Sequence, residues 1–152
     1  MKISTKTRYG VRAMFELAKN YGSYPVSVKT IAQRQEIPLS YLEQILNHLH
    51  KAKLVRSVRG PGGGFLLAKR PEHIRIIDIT HALEESIKPV FCVDEMAEED
   101  QCKRMDGCVA RLLWKKLDEK IKEVLEGTTL KDLCEWAKKF SSTVEHEFIF
   151  HI

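Results

Sequence analysis

The chain has 152 residues, of which 43% are hydrophobic, and a formal net charge of +4 at pH 7. This length fits one domain, or a small domain with an appendage, and it can bury a core without disulfide bonds. No stretch has the character of a signal peptide or reaches the roughly 18 apolar residues of a membrane span. We therefore expect a cytoplasmic protein without a membrane partner, in which clustered cysteines more often bind metal or carry out redox chemistry.

Charge is divided unevenly along the chain. Residues 1–75 contain 14 Lys and Arg against 4 Asp and Glu, a balance of +10, so the remainder carries −6. A basic first half favours a polyanionic partner, because neutralised phosphates release condensed counterions. Charge alone leaves a solvated basic surface as an equal alternative.

The first two predicted elements are helices with serine caps. Ser4 can cap the first helix, and Arg8 and Arg12 fall together on its outer side. Its apolar or small residues share one face: Gly10, Ala13, Met14, Leu17 and Ala18. Ser27 can cap a second, shorter helix that ends near Gln35, before a turn that contains Pro38.

A third helix is predicted to begin at Leu39, and its inward stripe has the spacing i, i+3, i+4, i+7: Leu42, Ile45, Leu46 and Leu49. Ser40 and Glu43 match an S-x-x-E capping box, which would account for both residues and leaves their contact with DNA open. The other face carries hydrogen-bonding side chains: Tyr41, Gln44, Asn47, His48 and Lys51. This pattern predicts a helix-turn-helix whose second helix enters the major groove, where Gln44 could pair with adenine.

A β-hairpin is predicted next, with one strand from Leu54 to Val58 and another from Phe65 to Leu67. The connecting GPGGG, stiffened by Pro61, lets the backbone pass close to another surface. Positive charge surrounds it: Arg56, Arg59, Lys69 and Arg70. A nucleotide-binding P-loop is the competing interpretation, but the segment lacks the lysine and the following helix of that motif. A wing that contacts the DNA backbone or minor groove fits better.

The second half predicts three helices. Residues 76–86 can form a short connecting helix. A long helix then presents an apolar stripe: Val109, Leu113, Leu117, Ile121, Val124 and Leu125. We expect this stripe to pair two chains, with a purely intramolecular core helix as the alternative. A last helix from Thr128 places Cys134 on its apolar face as a buried small hydrophobe. Residues 141–152 have no clear periodicity.

The predicted fold is therefore mainly α with a small β-hairpin wing. A winged helix-turn-helix domain spans residues 1–75, and a connecting helix with a cysteine-bearing loop spans 76–107. A dimerisation helix and a C-terminal helix span 108–140, followed by a tail at 141–152. No Ser-His-Asp order, nucleotide fingerprint or paired carboxylates indicate an enzyme.

The helix-turn-helix, the string LSYLEQIL, the wing SVRGPGGGFLL and three downstream cysteines resemble the IscR-like family of winged-helix transcription regulators, which includes NsrR and CymR. The resemblance covers about residues 1–140 and implies a homodimer that binds double-stranded operator DNA. It also implies that Glu43 helps to discriminate between operator types. The DNA contacts implied by the resemblance are Ser40, Tyr41, Glu43, Gln44, Arg59, Gly60, Gly62 and Gly63.

Three cysteines, Cys92, Cys102 and Cys108, precede the long helix, without the C-x2-C pairs of common zinc sites. Acidic neighbours disfavour free thiolates, whereas a bound iron cluster would itself impose deprotonation. These neighbours are Asp94, Glu95, Glu98, Glu99, Asp100 and Asp106. The resemblance implies that the three cysteines hold an iron–sulfur cluster, 2Fe-2S in type. Zinc binding, thiol switching and no chemistry remain alternatives.

This chain departs from the family pattern in the cysteine segment. The first interval between cysteines is longer than in IscR, and Arg111 stands where IscR has a histidine ligand. Arg8 stands where NsrR-like proteins recruit an acidic residue of the partner chain. The fourth ligand is thus open between an acidic loop residue, Cys134, a partner-chain group and an exogenous thiol.

The function expected from the resemblance is a repressor or dual regulator that senses iron–sulfur status and controls genes for cluster assembly or related genes. The alternative is a CymR-like regulator without a cluster, which responds to a metabolite, a partner enzyme or thiol redox state.

Overall fold

The computed structural model describes residues 2–84, 86–96 and 102–150, with side chains as far as residue 143. The first half contains α1 (Thr5–Lys19), α2 (Val28–Gln35), α3 (Leu39–Lys51), β1 (Val55–Val58) and β2 (Gly64–Leu67). The second half contains α4 (Ile76–Leu83), α5 (Val109–Gly127) and α6 (Leu130–Phe150). Short 3-10 turns lie at Pro71–His73, Phe91–Val93 and Met105–Gly107. This mainly helical fold with one antiparallel hairpin confirms the predicted fold class.

The two predicted serine caps are present. The Ser4 hydroxyl oxygen accepts a hydrogen bond of 3.1 Å from the Thr7 amide, and the Ser27 hydroxyl oxygen accepts one of 3.1 Å from the Thr30 amide. Each cap satisfies one of the amides that have no partner within the helix. The predicted inward face of α1 is buried. At Gly10, a Cβ atom would lie 2.1 Å from the Leu83 side chain, so glycine allows α1 and α4 to pack closely.

One apolar core joins both halves of the chain. Its fully buried members come from α1, α2, α3, α4, α6 and the turn before α4, and include Met14, Ile31, Leu42, Ile45, Leu46, Leu49, Ile74, Ile79 and Leu130. The start of α6 is fixed by backbone hydrogen bonds from Leu130 to Ile74 (3.0 Å) and from Ile76 to Thr128 (2.9 Å). Each fully buried Leu or Ile contributes about 1.5–3 kcal/mol. The first turns of α6 are therefore part of the core beneath the winged helix.

The C-terminal helix is longer than its periodicity indicates. It continues to Phe150, through most of the segment separated above as a tail. Glycine and proline are absent from residues 130–150, so no residue of low helix propensity interrupts the helix. None of the helices in the described residues is both long and apolar enough to cross a membrane.

Candidate DNA-binding surface and cysteine segment

Helix α3 presents the predicted polar face to solvent. Ser40, Glu43 and Gln44 are exposed and Tyr41 is partly buried, while the predicted inward stripe is completely buried. Four of the predicted DNA contacts therefore lie in the first two turns of one helix. The helix leads directly into β1, because the Leu54 amide donates to the Leu49 carbonyl at 3.0 Å.

The predicted capping box of α3 is wrong. The helix begins at Leu39, its cap position is Pro38, and no side chain caps it. The Pro38 carbonyl accepts the first helical hydrogen bond, from the Leu42 amide at 2.9 Å. Ser40 is consequently the second residue inside the helix, too late to serve as a cap. Capping therefore does not account for Ser40 and Glu43. Both side chains are exposed and lie on the face opposite the buried stripe.

Two tyrosines hold the first turn of α3 against α1. The Tyr41 ring meets the Tyr9 ring edge to face, with centroids 5.9 Å apart and an interplanar angle of 71°. The guanidinium of Arg12 lies 5.5 Å from the centre of the Tyr9 ring, in a cation–π contact. Arg12 also donates to the backbone carbonyl of Gln35, the last residue of α2. Arg12 therefore links α1 to the end of α2, while Tyr9, which Arg12 contacts, links α1 to α3.

A buried carboxylate, which was not among the predicted site residues, fixes α2 to α1. Glu16 is fully buried, and its carboxylate accepts from Arg34 at 2.9 Å and from Gln35 at 2.8 Å, with Lys19 at 2.9 Å. Burial opposes ionisation, but the hydrogen bonds from Lys19, Gln35 and Arg34 outweigh it and lower the pKa of Glu16. The only signal in the sequence is an acidic residue next to the apolar face of α1.

The hairpin forms the predicted wing. Its strands pair antiparallel from Val55 opposite Leu67 to Val58 opposite Gly64. Gly60 and Gly62 have φ angles of 93° and 72°, a region that favours glycine, and the Gly63 amide donates to the Gly60 carbonyl at 2.9 Å. The turn itself therefore requires these glycines.

The wing exposes the charge predicted for it. The four basic side chains around the turn, Arg56, Arg59, Lys69 and Arg70, are all exposed. The predicted contact positions Arg59, Gly60 and Gly62 are exposed as well, and Gly63 is partly buried. Neutralisation of DNA phosphates by such groups is the general source of DNA affinity. Direct contacts of the wing with DNA stay a prediction.

The three predicted cysteine ligands lie around the start of α5. Cys92 is in the 3-10 turn Phe91–Val93, Cys102 precedes the turn Met105–Gly107, and Cys108 is the residue before α5. All three are partly exposed. Glu98, Glu99 and Asp100 lie outside the described residues. Among the residues that are described, no three His, Cys, Asp or Glu side chains come together as a metal site.

Arg111 connects the two sides of the cysteine segment. Its Nε donates to the backbone carbonyl of Cys92 at 2.8 Å, and its Nη1 approaches the carbonyl of Met105 at 3.4 Å. Its own amide donates to the Cys108 carbonyl at 3.1 Å. The segment before Cys92 is held on α5 by Lys88, whose ammonium lies 3.0 Å from the largely buried carboxylate of Asp118.

The fourth cysteine lies elsewhere. Cys134 is partly buried and packs against the apolar core, and burial raises the pKa of its thiol. A raised thiol pKa keeps the side chain neutral, as expected of a small hydrophobe.

The apolar stripe of α5 is divided. Val109 is 79% exposed, and Leu112, Leu113 and Val124 are 60%, 58% and 63% exposed. Leu125 instead packs against the core of its own chain. Val109, Leu113 and Val124 therefore face outward without a partner in the described residues, while Leu125 packs inward.

Comparison with known proteins agrees with this architecture. Residues 3–136 match the family Rrf2, described as an iron-dependent transcriptional regulator. CymR of Bacillus subtilis (strain 168) is 43% identical over 152 residues, which cover 100% of both chains. IscR of Sodalis glossinidius (strain morsitans) is 39% identical over 133 residues, or 88% of this chain and 78% of the relative.

Solved structures give the same relationship. The structure of CymR (YrzC), the global cysteine regulator of B. subtilis, superposes with a TM-score of 0.74 at 43% identity, covering 90% of this chain and 98% of that chain. T. potens IscR superposes with a TM-score of 0.73 at 42% identity, covering 90% and 88%. These relatives are transcription regulators rather than enzymes. The predicted resemblance is confirmed, and the chain belongs to the Rrf2 family of DNA-binding transcription regulators.

Proposed function

We propose that the protein is a homodimeric repressor or dual regulator that binds a two-fold symmetric operator, with one α3 in the major groove of each half-site. The observation that carries the proposal is the exposed polar face of α3 above a completely buried apolar stripe. In a helix-turn-helix this face meets base edges. Membership of a family of transcription regulators supports the same role.

Each contact position has a chemical role in this arrangement. The Gln44 amide pairs with adenine, and the Glu43 carboxylate accepts from cytosine and disfavours other bases, so it discriminates between operators. Ser40 and Tyr41 lie in the same first turns. Arg59 supplies charge to the backbone or minor groove, and the backbone at Gly60, Gly62 and Gly63 approaches the DNA without side-chain obstruction.

Selection from a pool of random DNA duplexes tests the operator proposal. Bound sequences should converge on a palindrome whose half-sites are centred about 10 base pairs, or a multiple of one helical turn, apart. A pool that is bound without enrichment would contradict base reading by α3.

The outward part of the α5 stripe supports dimer formation. Val109, Leu112 and Leu113 form an exposed apolar surface at the start of α5, which a second copy of the chain would cover. Further along α5, Ile121 and Leu125 line a groove of about 500 Å³ between α1, α4 and α5. Two-fold pairing through this surface would give the protein the symmetry of a palindromic operator.

The proposed signal is an iron–sulfur cluster, 2Fe-2S in type, held by Cys92, Cys102 and Cys108. Thiolates are the usual ligands of such clusters, so the donor types fit, and all three lie at one end of α5. The thiols do not form a closed donor group, so binding requires the segment to fold around the cluster. The cluster would supply a redox-labile group, and its presence would report iron–sulfur status to genes for cluster assembly or related genes.

Anaerobic reconstitution tests the cluster. Wild-type protein should gain visible charge-transfer bands with bound iron and sulfide, and serine variants of Cys92, Cys102 and Cys108 should each lose them. Cys134→Ser is the matched control and should retain the chromophore, because Cys134 packs against the core. Stoichiometric zinc without sulfide, or a chromophore retained by all three variants, would contradict the assignment.

A second candidate is a regulator without a cluster, which responds to a metabolite, a partner enzyme or thiol redox state. Two observations favour it. Arg111, a cation that cannot ligate iron, already links the carbonyls of the cysteine segment. CymR, named as a cysteine regulator, is similar over the full length of the chain. Colourless protein after anaerobic purification, with full operator affinity, would support this candidate over the cluster.

A further inference from the structure

Arg111 connects parts of the backbone that are distant along the chain. Its Nε donates to the Cys92 carbonyl at 2.8 Å, across 19 residues, and its Nη1 is 3.4 Å from the Met105 carbonyl. These two carbonyls lie on either side of residues 97–101. The Arg111 guanidinium thus holds both ends of the cysteine segment against the first turn of α5.

The chemistry of arginine suits this link. Its planar group offers several N–H donors in fixed directions, stays protonated and has no lone pair for a metal ion. Both contacts are made to backbone oxygens, so they leave the three sulfur atoms available to bind a ligand. The side chain is partly buried, which reduces competition from water.

Neighbouring contacts give the segment further support but do not span it. Met105 is buried, and its amide donates to the Cys102 carbonyl at 3.1 Å. Asp94 accepts from the Met96 amide at 3.1 Å and from the Ser86 hydroxyl at 3.1 Å. These hydrogen bonds shape the two sides separately. Among the residues that the structure describes, Arg111 contacts both sides.

We infer that Arg111 is the positioning residue of the sensor, an inference that rests on the proposed sensing role of the cysteines. Its side chain holds the backbone at Cys92 and Met105 together at the start of α5. Arg111, which stands where IscR has a histidine ligand, thus orders the cysteine-bearing segment through its side chain. Arg111 therefore restrains the backbone that carries the cysteines, while the three thiols still have to converge to hold a common ligand.

Hydrogen exchange of the reduced, metal-free protein tests this role. In Arg111→Gln, peptides that cover residues 86–96 and 102–110 should exchange about tenfold faster than in the wild type, while peptides of α3 and the wing remain unchanged. Arg111→Lys retains the charge but loses the planar guanidinium that reaches two carbonyls at once, so it should also accelerate exchange. Arg104→Gln is the matched control, because Arg104 is exposed in the same segment and its replacement changes the charge equally.

The outcomes separate positioning from general stabilisation. Faster exchange restricted to the two peptides, with an unchanged melting temperature, supports the inference. Unchanged exchange in both Arg111 variants, equal acceleration in Arg104→Gln, or acceleration throughout the chain overturns it. Since the assay contains no iron, failure of wild-type protein to bind a cluster would remove the cluster proposal without affecting this result.

Discussion

Replacement of Glu16, the buried carboxylate in α1, tests how α1 and α2 support α3, the proposed DNA-recognition helix. In Glu16→Gln, the side chain keeps its size but loses its negative charge. The carboxylate that contacts Lys19, Arg34 and Gln35 is thereby replaced by a neutral amide. The loss of one partner of a fully buried ion pair costs about 3–5 kcal/mol, whereas an exposed pair contributes about 0–1 kcal/mol.

The ion pairs of Glu16 lie between the fully buried and the fully exposed case. Glu16 is completely buried, but the side chains of Lys19 and Arg34 are 43% and 54% exposed and can turn to water when the charge is removed. We therefore expect a loss of about 2 kcal/mol in the free energy of unfolding. Operator affinity should fall as well, because Arg34 and Gln35 end α2, just before the turn into α3.

The pH dependence gives a second measurement. The pKa of Glu16 is lowered from its ordinary value of 4.5, so its ionised form stabilises the fold. That contribution is complete above pH 4.5 and is lost as the pH falls through the lower pKa of the folded protein. The difference between wild type and Glu16→Gln should therefore be constant between pH 7 and about pH 5.5 and should narrow in more acidic solution.

Urea unfolding followed by circular dichroism measures this difference, at one fixed chain concentration because a dimer gains stability with concentration. Glu36→Gln is the control, since Glu36 is an exposed carboxylate in the neighbouring turn. Equal stability of Glu16→Gln and the wild type at pH 7 would refute the argument. If the difference in free energy of unfolding between wild type and Glu16→Gln stays the same in acidic solution, the charge of Glu16 is not its source.

The other predictions concern DNA and assembly. Gln44→Ala should lose about 1–3 kcal/mol of operator binding at particular base pairs, measured by titration; an equal loss on random DNA contradicts base reading. Arg59→Ala should weaken binding and, if the contact is with phosphate, reduce the salt slope by about one unit; unchanged affinity and slope exclude the contact. Leu113→Glu should give folded monomers in sedimentation, since Leu113 is 58% exposed; an intact dimer excludes that surface.

Short-range patterns in the sequence determined the individual elements. Ser4 and Ser27 cap α1 and α2, the i, i+3, i+4, i+7 stripe of α3 is buried, and the glycine-rich run forms the hairpin turn. Each depends on residues within a few positions of one another, because backbone amides, helix periodicity and φ angles are local properties. The resemblance to known regulators also rests on these local strings.

Capping motifs show where local pattern is insufficient. Ser40 and Glu43 match a capping box that does not form, whereas Thr129 and Asp132 form a capping box that was not predicted. The difference lies in where each helix begins. Pro38 starts α3 before Ser40, and the backbone pairing of Ile74 with Leu130 sets the start of α6.

Only the tertiary structure decided how the elements support the site. Glu16 becomes a buried anchor because α2 brings Arg34 and Gln35 over it, and Tyr41 is oriented by Tyr9 of another helix. Arg111 appears in the sequence as a missing ligand, but in the fold it donates to a carbonyl 19 residues away. Such roles depend on burial and on the direction of groups far apart in the chain, and no local spacing specifies either quantity.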